Sequence, residues 1–242
     1  MELFDSIIAQ TAQLGGKSAP RRWAYSDVAP WPDGGEFELV MLRDAAFELG
    51  GGNLGAVNFT CVTTDETLVG SDEILLWGPD LTELKGDCGY IRATLLRVKG
   101  IGEGDDPEAA FRTVQDYDFV KYRVFPKGYM IRTSSESDRE QVRVSKEAVR
   151  GGISFARVGA DFIRQYKQDP NVLSVRMLFI TAPDADHALA KKLAKSAHDI
   201  TMSLSKILEG MPTDCASCQL NPICDEVEGM KELHFGKNKG KT

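Results

Sequence analysis

From residue 36 onward the chain is cut into short runs rich in β-branched and aromatic residues, separated by Gly, Asp and Thr clusters. This punctuation limits the fold more than any other feature. FELVMLR (37–43), AVNFTCVTT (56–64), EILLWG (73–78) and YIRATLLRVKG (90–100) read as strands. RVFPKGYMIRT (123–133) and QVRVS (141–145) read as a strand pair about a polar loop, SSESDRE, and VLSVRMLFIT (172–181) as a buried strand. Helical periodicity falls between them. Leu3, Ile7, Ile8 and Leu14 predict a short amphipathic helix over 2–14, and Pro107 opens a helix carrying Ala110, Phe111 and Val114. Phe155, Val158, Gly159, Phe162, Ile163 and Tyr166 draw one apolar stripe along 153–167, which Asp169-Pro170 stops. A long helix follows from about Asp184 to Glu209, with Gly210 as its cap. A Gly/Pro/Trp-rich arm, Gly15 to Gly35, joins the first helix to the first run. The chain has no internal repeat, and the fold class predicted is α+β, a mixed sheet with packed helices.

At 242 residues, 42% hydrophobic and 27% charged, the chain can bury a core as one large domain or two small ones. A formal charge of −7 excludes a general nucleic-acid binder, because phosphate neutralisation needs a basic face. No apolar run approaches the ~20 residues that span a bilayer. The start, MELFDSIIAQ, has none of the features of a signal peptide. The expected setting is the cytoplasm, with neither nucleic acid nor membrane as a partner. Gly50 to Gly55 match G-x-G-x-x-G, but strand-type AVNFTCVTT follows where a dinucleotide site needs a helix, so the motif reads as a turn.

The five cysteines divide unevenly. Cys61 and Cys88 stand alone and read as buried small hydrophobes. Cys215, Cys218 and Cys224 crowd into ten residues with the spacing C-x2-C-x5-C. The first pair places two thiolates on one side of a turn, and the third closes the turn after Asn221-Pro222. Three soft, anionic ligands select an iron–sulfur cluster, zinc or copper(I) over magnesium or calcium. Free thiols or a local disulfide are the plainer readings, the latter opposed by a reducing cytosol. A fourth ligand is missing as cysteine, and His234, Asp225, Glu226, a partner's side chain or an exogenous ligand can complete the set. His187 and His198 read as surface or satisfied side chains, and Asp105-Asp106 and SSESDRE as solvated turns.

Around this cluster the chain, from about Phe47 to His234, resembles the β-subunit (acetyl-CoA synthase) of the carbon monoxide dehydrogenase/acetyl-CoA synthase complex. AFELGGGNLGAVNFTCVTTDE and EILLWGPDLTELKG look like that family's strand and "GPD" segments. VRVSKEAVRGGISFARVGADFIRQYKQDPNVLSVRMLFIT is similar to the stretch leading to its metal site, where a serine-lysine pair, here Ser145-Lys146, starts a helix. In that family a four-iron cubane is joined to two nickels, and its cysteines are spaced by two, eight and nine intervening residues. Cys215 and Cys218 match the first pair and Cys224 the third, across a loop three residues shorter. The fourth position falls on His234, with nine residues between it and Cys224.

The departures from the family are as informative. The Cys-Gly-Cys tripeptide that chelates the distal nickel is absent from this sequence, as is the family's N-terminal docking domain. Nickel is therefore not expected within this chain. With periodicity and composition setting off an N-terminal helix and arm (1–35) and a disordered tail (237–242), the resemblance gives a synthase-like α+β core (36–210) and a Cys-rich metal segment (211–236). It implies a stand-alone metalloprotein of anaerobic one-carbon or corrinoid metabolism, holding one iron–sulfur cluster (4Fe-4S) through Cys215, Cys218 and Cys224. Electron transfer to a corrinoid protein or redox partner, or ligand binding at an incompletely Cys-ligated iron, is the expected role. The alternatives are a zinc-stapled binding or scaffold module with His234 as fourth ligand, and a partial acyltransferase that draws its nickel site from another chain. No catalytic residue is assigned.

Overall fold

The structure, a computed structural model, describes residues 3–101, 107–133 and 138–208. Among these residues the chain forms eight strands and five α-helices. The strands are β1 (Arg21–Ala24), β2 (Ala45–Leu49), β3 (Ala56–Thr63), β4 (Glu73–Trp77), β5 (Tyr90–Val98), β6 (Tyr129–Thr133), β7 (Glu140–Ser145) and β8 (Val172–Ile180). The helices are α1 (Asp5–Gln10), α2 (Pro107–Phe119), α3 (Lys146–Arg150), α4 (Phe155–Tyr166) and α5 (His187–Leu208). No described helix is long and apolar enough to cross a membrane.

A five-stranded sheet, ordered β1-β4-β8-β5-β3, forms the centre. It is mixed: β3 with β5 and β4 with β8 run parallel, while β5 with β8 and β1 with β4 run antiparallel. Every residue of β3 and β4 is buried, and all but one of β5. Burial on both faces explains why these strands read as continuous apolar runs rather than alternating ones. Helix α4 covers one face. Phe155 stacks on Tyr90 and on Phe179, and Gly159 lets the helix approach closely, since a Cβ there would lie 2.8 Å from Ile74 Cγ1. Ser154 caps α4 by accepting from the Arg157 N–H. Each large apolar side chain buried under α4 contributes about 1.5–3 kcal/mol. Helices α1 and α5 pack together against β3 on the opposite face. A second, antiparallel sheet, β2-β7-β6, adjoins the first beside β3.

The α+β class with a mixed sheet and packed helices is as expected, and most elements fall where periodicity put them. The run at 37–43 is a correction: it forms no strand. Phe37, Leu39, Met41 and Leu42 are exposed, and only Val40 between them is buried. The Val40 backbone spends its hydrogen bonds on side chains, its N–H donating to Met130 Sδ and its carbonyl accepting from Arg143. A turn at Met41 then delivers the chain to β2, two residues beyond the predicted run. The arm also departs from expectation, because it contains β1, an edge strand of polar pattern paired with β4. Gly50 to Gly55 link β2 to β3, strand to strand, with Gly50 and Gly52 at positive φ. The dinucleotide reading stays excluded. Gly210, Asp105-Asp106, most of SSESDRE and the tail from 237 lie outside the described residues.

Candidate functional site

All four predicted ligands, Cys215, Cys218, Cys224 and His234, lie outside the described residues, as do Asp225 and Glu226. What the structure describes is their support. Cys215 follows the last residue of α5, Leu208, by seven positions. That helix is held to the core by Ala190, Leu193, Ala194, Ala197, Ile200 and Leu204, all buried on one face. Asp186 secures its start by accepting from the Leu189 N–H at 2.8 Å. Among the described residues no group of three or more His, Cys, Asp or Glu is placed to hold a metal ion.

The other two cysteines have a different chemistry. Cys61 on β3 is fully buried, and burial, with Asp118 and Asp5 adding, raises its thiol pKa well above the ordinary value. Cys88 is half-buried against the core, and burial, with Asp87, pushes it up to about 11. Both stay protonated at neutral pH, as expected of packing cysteines rather than ligands. His198 is exposed, in keeping with a surface role. His187 is not satisfied. Its ring lies against Gly55 and Gly89, and its buried Nδ1 has no partner among the described residues. Burial, with Lys191 nearby, lowers its pKa, against the pull of Asp186.

The segments quoted for the family resemblance are structural corners. Ser145 does start a helix: its Oγ accepts from the Ala148 N–H at the head of α3, and Lys146 donates to the Arg43 carbonyl. In Gly78-Pro79-Asp80, the buried Asp80 carboxylate accepts from the Leu81 and Phe155 N–H groups. Burial raises its pKa, and those two N–H groups oppose the rise. Gly78 is required at this corner, since at φ +96° a Cβ would lie 2.4 Å from the Ala182 nitrogen.

A buried polar junction between the two sheets escaped sequence reasoning. Arg92, fully buried in β5, donates from Nε and Nη2 to the two oxygens of Glu140 at the head of β7, and from Nη1 to Thr94. Its guanidinium lies over the Phe162 ring of α4. Burial works against the Arg92 charge, and Glu140 more than offsets it, so its pKa is raised. Beside the pair, the hydroxyls of Tyr90 and Tyr129 join at 2.9 Å, bonding β5 to β6. On the far side Lys121, 4% exposed, donates to Asn58 and to Asp118. The one signal in the sequence was a charged residue inside an apolar strand, Arg92 in YIRATLL. Apart from Asn58 Nδ2, which has no partner among the described residues, its donors and acceptors are matched, and the junction fastens sheet to sheet.

No family model and no curated protein matches the chain.

Proposed function

We propose that this chain is a distant relative of the acetyl-CoA synthase subunit and a metalloprotein that holds one iron–sulfur cluster through Cys215, Cys218 and Cys224. The observation that carries this reading is how the five thiols are shared out. Cys61 is buried and Cys88 half-buried, both protonated and packed against the core, which leaves the three in C-x2-C-x5-C, just past a firmly packed helix, as the available soft donors. The chemistry of that donor set suits a cluster, and His234 or an exogenous ligand completes it. A cluster with one iron not held by cysteine exchanges electrons or takes up a small ligand. This chain's own residues supply three thiolates, exclude Cys61 and Cys88 from competing for metal, and tether the segment to the core through α5.

The proposed setting is cytoplasmic, anaerobic one-carbon or corrinoid metabolism, with a corrinoid protein or another redox protein as partner. Nickel is not part of the proposal, since no Cys-Gly-Cys tripeptide occurs in the sequence. The test is anaerobic purification of the full chain with metal analysis and electron paramagnetic resonance. Iron and sulfide in cluster ratio, lost on Cys218→Ser and retained on Cys88→Ala, is the expected result. Stoichiometric zinc in a colourless protein overturns it in favour of a zinc-stapled scaffold. Carbon monoxide/acetyl-CoA exchange after nickel addition overturns the electron-transfer role in favour of a partial acyltransferase.

A further inference from the structure

Residues 37–42, which form no strand, lie across the outer face of the small sheet. Two inward side chains hold them there. Glu38 accepts from the Gly128 N–H at 3.0 Å, and the buried Val40 bonds through its backbone to the side chains of Met130 and Arg143. Those two residues oppose each other in β6 and β7, on the face turned away from Tyr129 and Val144. The side chains that alternate with these anchors point to solvent. Phe37, Leu39 and Met41 are 58%, 62% and 45% exposed, and Leu42, in the turn before β2, is 71% exposed.

The patch continues past the segment. Phe37 and Tyr122 line one hollow, and the half-exposed ring of Tyr122 lies 5.7 Å from that of Phe119, also half-exposed. Together the six side chains present roughly 600 Å² of mostly apolar surface, the upper end of what a monomer ordinarily leaves bare. Closing such a patch on its equal removes about 1,200 Å² in total, the lower bound of a specific, stable interface.

The order of residues in the segment says what covers it. Glu36 stands exposed at one end and Arg43, 82% exposed, at the other. An antiparallel two-fold centred on Leu39 lays Leu39 on its own counterpart and Phe37 on Met41 of a second copy. The same rotation sets Glu36 beside the second copy's Arg43, twice over. A face complementary to itself is what an isologous dimer requires. The net charge of −7 opposes self-association at a distance, and the two Glu36–Arg43 pairs fix the register rather than supply the affinity.

We infer that residues 37–42, with Phe119 and Tyr122, form the interface of a two-fold symmetric dimer of this chain. The inference is independent of the cysteine cluster.

The test is sedimentation velocity of the full chain under reductant, from about 1 µM to about 100 µM, with the dimer expected to dominate at the upper end. Leu39→Asp puts two carboxylates on the symmetry axis and should abolish the dimer over that range with an unchanged circular dichroism spectrum. Arg43→Glu should weaken association about fivefold at low salt, and adding Glu36→Arg should restore it. Cys218→Ser should leave association unchanged, which keeps this interface distinct from one bridged through metal. A monomer at every concentration overturns the inference. So does a dimer that survives Leu39→Asp in a folded chain, one lost with Cys218→Ser, or a charge exchange that fails to restore association. Should Leu39→Asp not fold, hydrogen exchange of the unsubstituted chain decides. Protection of residues 37–42 should rise with concentration, and protection that stays constant overturns the inference.

Discussion

Arg92 and Glu140 lie 48 positions apart and meet in a two-point ion pair, with contacts of 2.7 and 2.5 Å and side chains 1% and 0% exposed. The pair bolts the small sheet to the large one under α4, and neither partner has water to fall back on. Glu140→Ala strands a buried guanidinium and should cost about 3–5 kcal/mol in urea denaturation. Arg92→Met combined with Glu140→Leu removes both charges and should recover most of that loss. A double variant as unstable as the single would show that the pair does more than cancel its own burial.

Asp161 on α4 is 1% exposed, with Arg164 bonded to Oδ1 and no partner on Oδ2 among the described residues. Burial raises its pKa from 3.8 to about 6, opposed by Arg164 and helped by Asp33. A carboxyl whose folded pKa is raised stabilises the fold fully below its unfolded pKa. That contribution is lost as pH climbs from about 4 to about 6. Asp161→Asn should therefore gain on the order of 1–3 kcal/mol over the parent chain between those limits and hold a constant gain above them. Denaturation of both proteins across that pH range measures the difference, and a constant difference would refute the assignment.

The two packing thiols should be nearly inert in the folded protein. At pH 8 a thiol with a pKa near 11 is about one-thousandth thiolate. Cys88 should react with iodoacetamide far more slowly than a free cysteine, and Cys61 not at all until the chain unfolds. Peptide mapping after alkylation reads both. Cys215, Cys218 and Cys224 should be blocked together in the metal-loaded protein and open together after chelation.

Where the sequence was legible, one physical cause held each element. β3, β4, β5 and β8 are largely buried on both faces and mostly apolar, and the apolar stripe of α4 is buried against the sheet, so local pattern and burial coincide. β1 escaped notice because an edge strand of sequence RRWA buries almost nothing. Residues 37–43 misled because their apolar side chains other than Val40 are left in solvent, and the run is held through Val40 and the hydrogen bonds of Glu38 and Arg43. The cysteine spacing was plain from the letters. The free donor of Asn58 was not, since it exists only because Lys121, 63 positions away, claims the other end of the amide. Nor was the partner of Arg92, which arrives from a different sheet.

The order of the large sheet carries a cost in assembly. β8 sits between β4 and β5, which never touch as ladder partners, yet β8 emerges from the ribosome after every other described strand. Until Val172 to Ile180 slide in, the nascent chain holds two half-sheets, each with a raw interior border open to mispairing. Closure waits on contacts spanning roughly a hundred residues, a topology that folds slowly. Under fast synthesis or heat, this late central strand is where the polypeptide would first go astray.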